Sequence, residues 1–451
     1  MPGPLGSDQV RRVTDAALDL RGADAVEVLL FHEWGGLTRF ANSAIHQSTS
    51  REDTGLRIRV VSEGRIGVAA TNVFSPEGAR TAAASALEMA QVVGPDPMFP
   101  GLAPKADVED KDDYDEATAS VTPAERAQGV AELIGQVGTG FRAAGAFETM
   151  ALEVAVANSL GQFCYAPYTQ ASVTSVVSGG DGGAGTAEVI AQRVSEVDPE
   201  AIGRRAATKA RDSQTPRDLP PGLYEVVLEP LAVSTLVGFL GWLGFGGRAL
   251  AEGRSALSGK EGERVCAGSV SISDDALSKG SFGLPFDFEG SPKRRVPLIE
   301  HGVFVGGVHD RRSAKQAGGG TTTTGHALPP PNPEGPFPLS PTFEPGEASL
   351  DELIAGTRRG LLVSRFHYTN VVHPIETVVT GMTRDGTWLI EDGEVAAPVK
   401  NLRFTQSILG ALSDVRGIGR DAEPASEFFF SVSRVPAIAV GSFNFSSASD
   451  H

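Results

Sequence analysis

Between Glu229 and Arg248 the chain runs eighteen residues, PLAVSTLVGFLGWLGFGG, without a charge. Such a run is either the short limit of a membrane span or the inside of a large core. Five glycines, Ser234 and Thr235 dilute its apolarity, and no basic cluster flanks it. The spacing therefore predicts a buried helix or helix-turn, and a protein without a membrane segment.

Punctuation sets the rest. Glycine and proline supply 54 and 29 residues, 83 of 451, against roughly 12% in average usage. Many short strands joined by tight loops are expected. Ser7 to Leu20 reads as a helix closed near Gly22, followed by strands at 25–31, 37–48, 56–61 and 65–70, with Gly35-Gly36 and Glu63-Gly64 as turns. Ser75-Pro76 opens a helix to about residue 93. The run 107–116 holds seven acidic residues and reads as a solvated connection. Thr122 to Glu125 has the form of a capping box, opening a helix toward Gly145. Strands at 147–157 and 162–178 and a helix at about 198–213 precede the linker TPRDLPPG at 215–222.

Beyond that linker, VSISDD, LIEHGVFVGGV, GLLVSRFHY, TWLIEDGEV and VPAIAVGSF are short strand candidates, and 317–341 is a long irregular loop. The fold class is α+β: an N-terminal α+β domain at 1–105, a middle α+β region and linker at 106–220, and a mainly β, barrel-like or sandwich domain at 221–451.

The net charge of -17 argues against nucleic acid. Cys164 and Cys266, far apart and outside any CxxC spacing, argue against a disulfide scaffold and for a reducing cytoplasm, each thiol reading as a small buried residue. The N-terminus has no apolar signal region. No HExxH or GxSxG is present, and AGGGTTTTG (317–325) lacks the lysine of a phosphate loop, leaving a flexible or cavity-lining loop. His301, His309, His326, His367 and His373 could converge with Asp274, Asp275, Asp287 or Glu289.

Five stretches carry a resemblance: GADAVEVLL (22–30), LTRFANSAIHQS (37–48), GRIGVAATN (64–72), the region from Ser271 to Gly319, and DGTWLIEDGEVAAPVKNLRFTQSILGAL (385–412). In this order they resemble the TldD/PmbA, or TldD/TldE, family. That resemblance implies a peptidase chamber acting on peptides, in which a TldD-type subunit holds zinc through a HExxxH helix and a TldE/PmbA-type subunit lacks it. The comparable helix here reads VSTLVGFLGWLGFGGRALAEG (233–253), and the residues from Gly238 to Trp242 offer no lone pair to zinc. A C-terminal cysteine ligand is missing too.

The expectation is a TldE/PmbA-type subunit without a cofactor of its own, paired as a heterodimer or higher assembly with a TldD-type zinc subunit. HYTNVVHPIETVVTG (367–381) departs from the family pattern, so Thr321, Thr322, His326, His367, Tyr368 and His373 are candidates to line a substrate cavity. The alternatives are a stand-alone hydrolase with a metal site relocated to His301, His309, His367 and His373, or a peptide-binding scaffold.

Overall fold

The computed structural model describes residues 3–426 and 431–448. The first half contains helix α1 (Ser7–Leu18), strands β1 (Ala25–Ala41), β2 (Ala44–Ser62) and β3 (Arg65–Thr71), helices α2 (Pro76–Val92), α3 (Glu116–Ala119) and α4 (Pro123–Gly135), strands β4 (Phe141–Asn158), β5 (Phe163–Gly179) and β6 (Ala184–Ala191), and helix α5 (Pro199–Asp212). Its six strands form one sheet in the order β3-β2-β1-β4-β5-β6, with every neighbouring pair antiparallel.

Caps and turns explain most boundaries. Ser75 accepts a hydrogen bond from Gly78 N–H at the start of α2, and Thr122 and Glu125 close a reciprocal capping box on α4. α4 stops at Gly135, ten residues short of the expected end, because Phe141 already starts β4. Ser7 is the first helical residue of α1, and Gly6 occupies the N-cap position. The buried Glu153 carboxylate anchors the segment just before the helix, accepting the N–H groups of Leu5 and Gly6 at 2.7 and 2.9 Å.

Gly35-Gly36 is not a turn. It lies inside β1, and the chain reverses at Asn42-Ser43, whose φ values of 51° and 59° suit a two-residue hairpin matched to strand twist. The two glycines are needed for close packing: a Cβ on Gly35 would lie 2.1 Å from Thr149 O, and one on Gly36 2.1 Å from an Arg126 guanidinium nitrogen. At φ 154° and against a backbone carbonyl, Gly35→Ala has no room to adjust. A loss of about 1–3 kcal/mol is expected, read as a shift in the urea midpoint; an unchanged midpoint would mean that β1 and β4 separate freely there.

The second half contains β7 (Gly222–Leu228), α6 (Pro230–Gly244), α7 (Gly247–Ala251), β8 (Ile272–Asp274), β9 (Val296–Glu300), β10 (Val303–Phe304), α8 (Arg311–Ala317), β11 (Pro341–Phe343) and α9 (Leu350–Ala355). It continues with β12 (Arg359–His373), β13 (Val378–Glu391), β14 (Glu394–Pro398), β15 (Leu402–Ser407), α10 (Ile408–Ser413), β16 (Val415–Ala425) and β17 (Ser433–Ala448). The sheet is mixed, and five of its strands close on themselves. β7 pairs with β12, β12 with β13, β13 with β15, β15 with β17, and β17 returns to β7. Closure removes the free edges that a strand-rich domain must otherwise protect.

Phe366, Phe404 and Phe443 fill the core beside this ring, their ring centroids 4.4–5.6 Å apart. α6 packs on β12 and β17 and is buried over nearly its whole length. Among the described residues no helix is long and apolar enough to cross a membrane.

The acidic stretch 107–116 is less solvated than expected. Asp113 O accepts Thr169 N–H at 2.9 Å, and Asp115 caps α3. Lys111 Nζ donates to the carbonyls of Ser281 and Gly283 at 2.9 and 3.2 Å. Main-chain and lysine hydrogen bonds, which need no apolar side chain, bind this segment to β5 and to the second half.

Candidate functional site

The joint between the two halves concentrates buried charge. Glu27 on β1 and Arg59 on β2 are cross-strand neighbours. They face a loop from the second half carrying Asp287, Glu289 and Lys293, all but Glu289 at least nine-tenths buried. Arg59 donates to Glu289 Oε1 at 3.0 Å and stands 3.5 Å from Glu27. Asp287 Oδ1 accepts the N–H groups of Glu289 and Ser291, while Oδ2 accepts Ala327 N–H.

The one guanidinium that touches Glu27 and Glu289 does not offset the cost of taking three carboxylates out of water. Burial, reinforced by Glu289 and Asp287 against the opposing pull of Arg59, pushes Glu27 up to about 8. Burial and Glu289 push Asp287 up to about 7. Lys293 is lowered by the same burial, and its Nζ, like both Glu27 oxygens, has no hydrogen-bond partner among the described residues. Burial thus favours the protonated forms of Glu27 and Asp287.

Next to it lies a chain with the atom order of a hydrolytic triad. Asp274 Oδ1 is 2.8 Å from His326 Nε2, and His326 Nδ1 is 2.9 Å from Thr324 Oγ1. Burial first, then Lys293, lowers the His326 pKa, leaving a neutral ring. Burial opposes ionisation of Asp274, yet His326, Lys293 and the Ser340 N–H hold it below the usual carboxylate range. His326 Nδ1 also lies 3.0 Å from the Thr324 main-chain carbonyl, so both ring nitrogens are tied to the protein. The Thr324 hydroxyl also lies within reach of the main-chain O and N–H of His309. All three side chains are buried, so no substrate carbonyl can reach the oxygen. This geometry holds the long loop in place and performs no acyl transfer.

The other candidates are scattered. Thr321 and Thr322 are exposed in the loop; His326 is sealed rather than open to a cavity. His367 and Tyr368 are adjacent on β12, with ring centroids 4.5 Å apart and Tyr368 exposed at φ 50°. His373 is exposed at the end of that strand, its Nδ1 accepting Glu376 N–H. His301 sits at the β9–β10 turn and beside an open cleft of about 620 Å³ also lined by Arg295, Glu344 and Arg416. His309 rests against Gly247, where a Cβ would come within 2.3 Å of its Nδ1. Among the described residues no three His, Cys, Asp or Glu side chains converge as metal ligands, so a relocated site at His301, His309, His367 and His373 does not form. Burial pushes both Cys164 and Cys266 up to about 12, far from a reactive thiolate.

On α6, Gly238, Phe239, Leu240 and Gly241 are buried. Pro338 and Phe337 of the long loop lie over Gly241. Nothing between Gly238 and Trp242 can ligate a metal, so a zinc ion does not fit there.

The Asp274–His326 pairing was within reach of the sequence, where both residues are among those open to convergence. Glu27 and Arg59 were not, since alternate strand positions read as ordinary half-buried sheet residues.

Fold and site define a two-part α+β protein whose closed barrel carries a buried apolar helix and whose ionisable groups gather at the joint with an antiparallel sheet. The chain belongs to the PmbA/TldA metallopeptidase family. It matches that family's domain 1 over residues 26–90, its central domain over 103–214 and its C-terminal domain over 221–447.

A metalloprotease of Methanothermobacter thermautotrophicus is 28% identical over 243 residues, covering 53% of this chain and 51% of the relative. The chain thus aligns with about half the length of that relative, and with less of several others. Metalloprotease PmbA of Escherichia coli O157:H7 is 23% identical with 92% of each chain covered. TldE from Thermococcus kodakarensis shares the fold at a TM-score of 0.87 and 21% identity, with 97% of this chain and 98% of that one covered.

Proposed function

We propose that this chain is a TldE/PmbA-type, non-catalytic subunit that completes and shapes the chamber of a heteromeric zinc peptidase in a reducing cytoplasm. The zinc and the hydrolytic chemistry belong to a TldD-type partner. One observation carries the reading: the helix that resembles the metal-binding one is packed at Gly241 by Phe337 and Pro338 of the long loop and has glycine and apolar side chains where ligands are needed. The sealed state of the Asp274–His326–Thr324 chain agrees with it, since that acid–base chain is closed to substrate.

The test is elemental analysis and peptide cleavage on the chain alone, on a TldD-type subunit alone, and on the two mixed. Metal and cleavage that require the TldD-type subunit, with stoichiometric association, are expected. Stoichiometric zinc with cleavage in the lone chain would overturn the reading.

A further inference from the structure

The open cleft of about 620 Å³ beside His301 has two walls on a common base. Arg295, Pro297, Ile299 and His301 stand at alternate positions along β9 and its two flanks, so one face of the strand forms the first wall. Residues 344–348 form the second, together with Arg416, Gly417 and Ile418 of β16. Ile272, Ile299 and Ile418 are buried at the base.

Main-chain hydrogen bonds fix both walls in place. Glu344 N–H donates to Ser271 O at 3.0 Å, Gly346 N–H to Gly419 O at 2.9 Å and Arg420 N–H to Ala348 O at 2.7 Å. Ser271 Oγ accepts His301 N–H at 3.0 Å, which ties the end of β9 to the same segment. A Cβ on Gly346 would lie 2.4 Å from Ile418 O, so the second wall sits directly against β16. The cleft is pre-formed, and its volume falls within the usual range of ligand sites.

Its charges are not balanced. Arg295 is taken up by Glu344 at 3.1 Å and Asp275 at 3.9 Å, and Arg416 by Asp414 at 3.2 Å and Glu225 at 3.9 Å. Glu300 and Glu347, both exposed in the cleft, have no ion pair among the described residues. Two unmatched carboxylates above an apolar base are complementary to a cation that carries an apolar body. Among the described residues no three acidic, histidine or cysteine side chains converge on a metal position, so that cation is an organic one. The face from Arg295 to His301 runs about 20 Å at roughly 3.3 Å per residue, too long for a compact amine and matched to an extended chain.

We propose that this cleft binds an extended peptide segment in which basic and apolar residues alternate. The apolar side chains lie over Ile272, Ile299 and Ile418, and the basic ones reach Glu300 and Glu347 at the rim. α6 meets β16 at the opposite end of that strand, where Ser234 Oγ donates to Ala425 O at 3.3 Å. The cleft is therefore separate from the helix that resembles the metal-binding one. It is complete in the lone chain and needs no zinc-bearing partner.

The experiment follows the fluorescence anisotropy of labelled peptides of about five residues on the chain purified alone. A peptide alternating leucine and arginine is expected to bind about tenfold more tightly than its glutamate counterpart, a preference that falls as salt rises. Glu347→Lys should weaken the arginine peptide about fivefold and tighten the glutamate one, and Glu300→Gln should weaken the arginine peptide about threefold. Both side chains are exposed, so the melting temperature is expected to stay unchanged. Agmatine, a compact guanidinium with no chain to lay along β9, should compete only at far higher concentration. Absence of binding, equal affinity for the arginine and glutamate peptides, or affinity untouched by both substitutions overturns the proposal. Agmatine that competes as well as the peptide overturns the extended-chain occupant.

Discussion

Replacing Arg59 with methionine is expected to lower stability by about 3–5 kcal/mol at pH 8.5. Arg59 stands between Glu27 and Glu289, with Asp287 close behind. Methionine fills much of the same volume, so the loss comes from Glu27 and Glu289 left without their nearest cation in a mostly buried site. The penalty should shrink as pH falls toward 6, because Glu27 and Asp287 then take up protons.

The native protein should show the same linkage with a smaller amplitude. Glu27 is raised from 4.5 to about 8 on folding. Its stabilising contribution is complete below its unfolded value and is lost as pH climbs through the folded one. Glu27→Gln should therefore flatten the fall in melting temperature between about pH 5 and 8. Thermal scans of native protein, Arg59→Met and Glu27→Gln across that window decide the matter. A pH-independent Arg59→Met penalty, or a native slope that persists in Glu27→Gln, would show that burial does not favour the protonated carboxyls at the joint.

Asp274→Ala is expected to destabilise the second half by about 3–5 kcal/mol. Asp274 accepts His326 Nε2–H and Ser340 N–H, and thereby ties β8 to both ends of the long loop. Truncation leaves two buried donors unpaired, and the full desolvation penalty of each is then felt. The pH dependence has the opposite sign from that of Glu27. Folding lowers the Asp274 pKa, so its contribution is present above its unfolded value and disappears as pH drops through the folded one. Urea unfolding of Asp274→Ala at about pH 7 and pH 3 checks this: a loss at neutral pH that narrows in acid is expected. Equal stability to the native protein at pH 7 would mean that the His326 contact holds nothing together.

Local chemistry made much of the architecture readable in advance. Ser75-Pro76, Thr122 to Glu125 and Asp198 start helices where they stand, because a cap needs only a side-chain oxygen and the next turn's N–H groups. The uncharged run after Glu229 announced a core helix, because no other place in a folded protein accepts so much apolar surface. The glycine pair at 35–36 misled because a turn and a close crossing ask for the same residue. Only the neighbours, Thr149 and Arg126, distinguish the two.

The candidate site divides along the same line. Sequence by itself determined that the helix from Pro230 to Gly244 has no metal-ligating side chain in the stretch from Gly238 to Trp242, since that depends only on which atoms the residues carry. Tertiary structure alone decided that Asp274, His326 and Thr324 form a sealed chain, that His301, His309, His367 and His373 stay apart, and that Glu27 and Arg59 meet Asp287 and Glu289 across more than two hundred residues. Periodicity reports which face of a strand is buried, but not what lies against it. The charge state of a buried carboxylate depends on that opposing surface, because in a low-dielectric joint the nearest charges and hydrogen bonds replace water as the solvent.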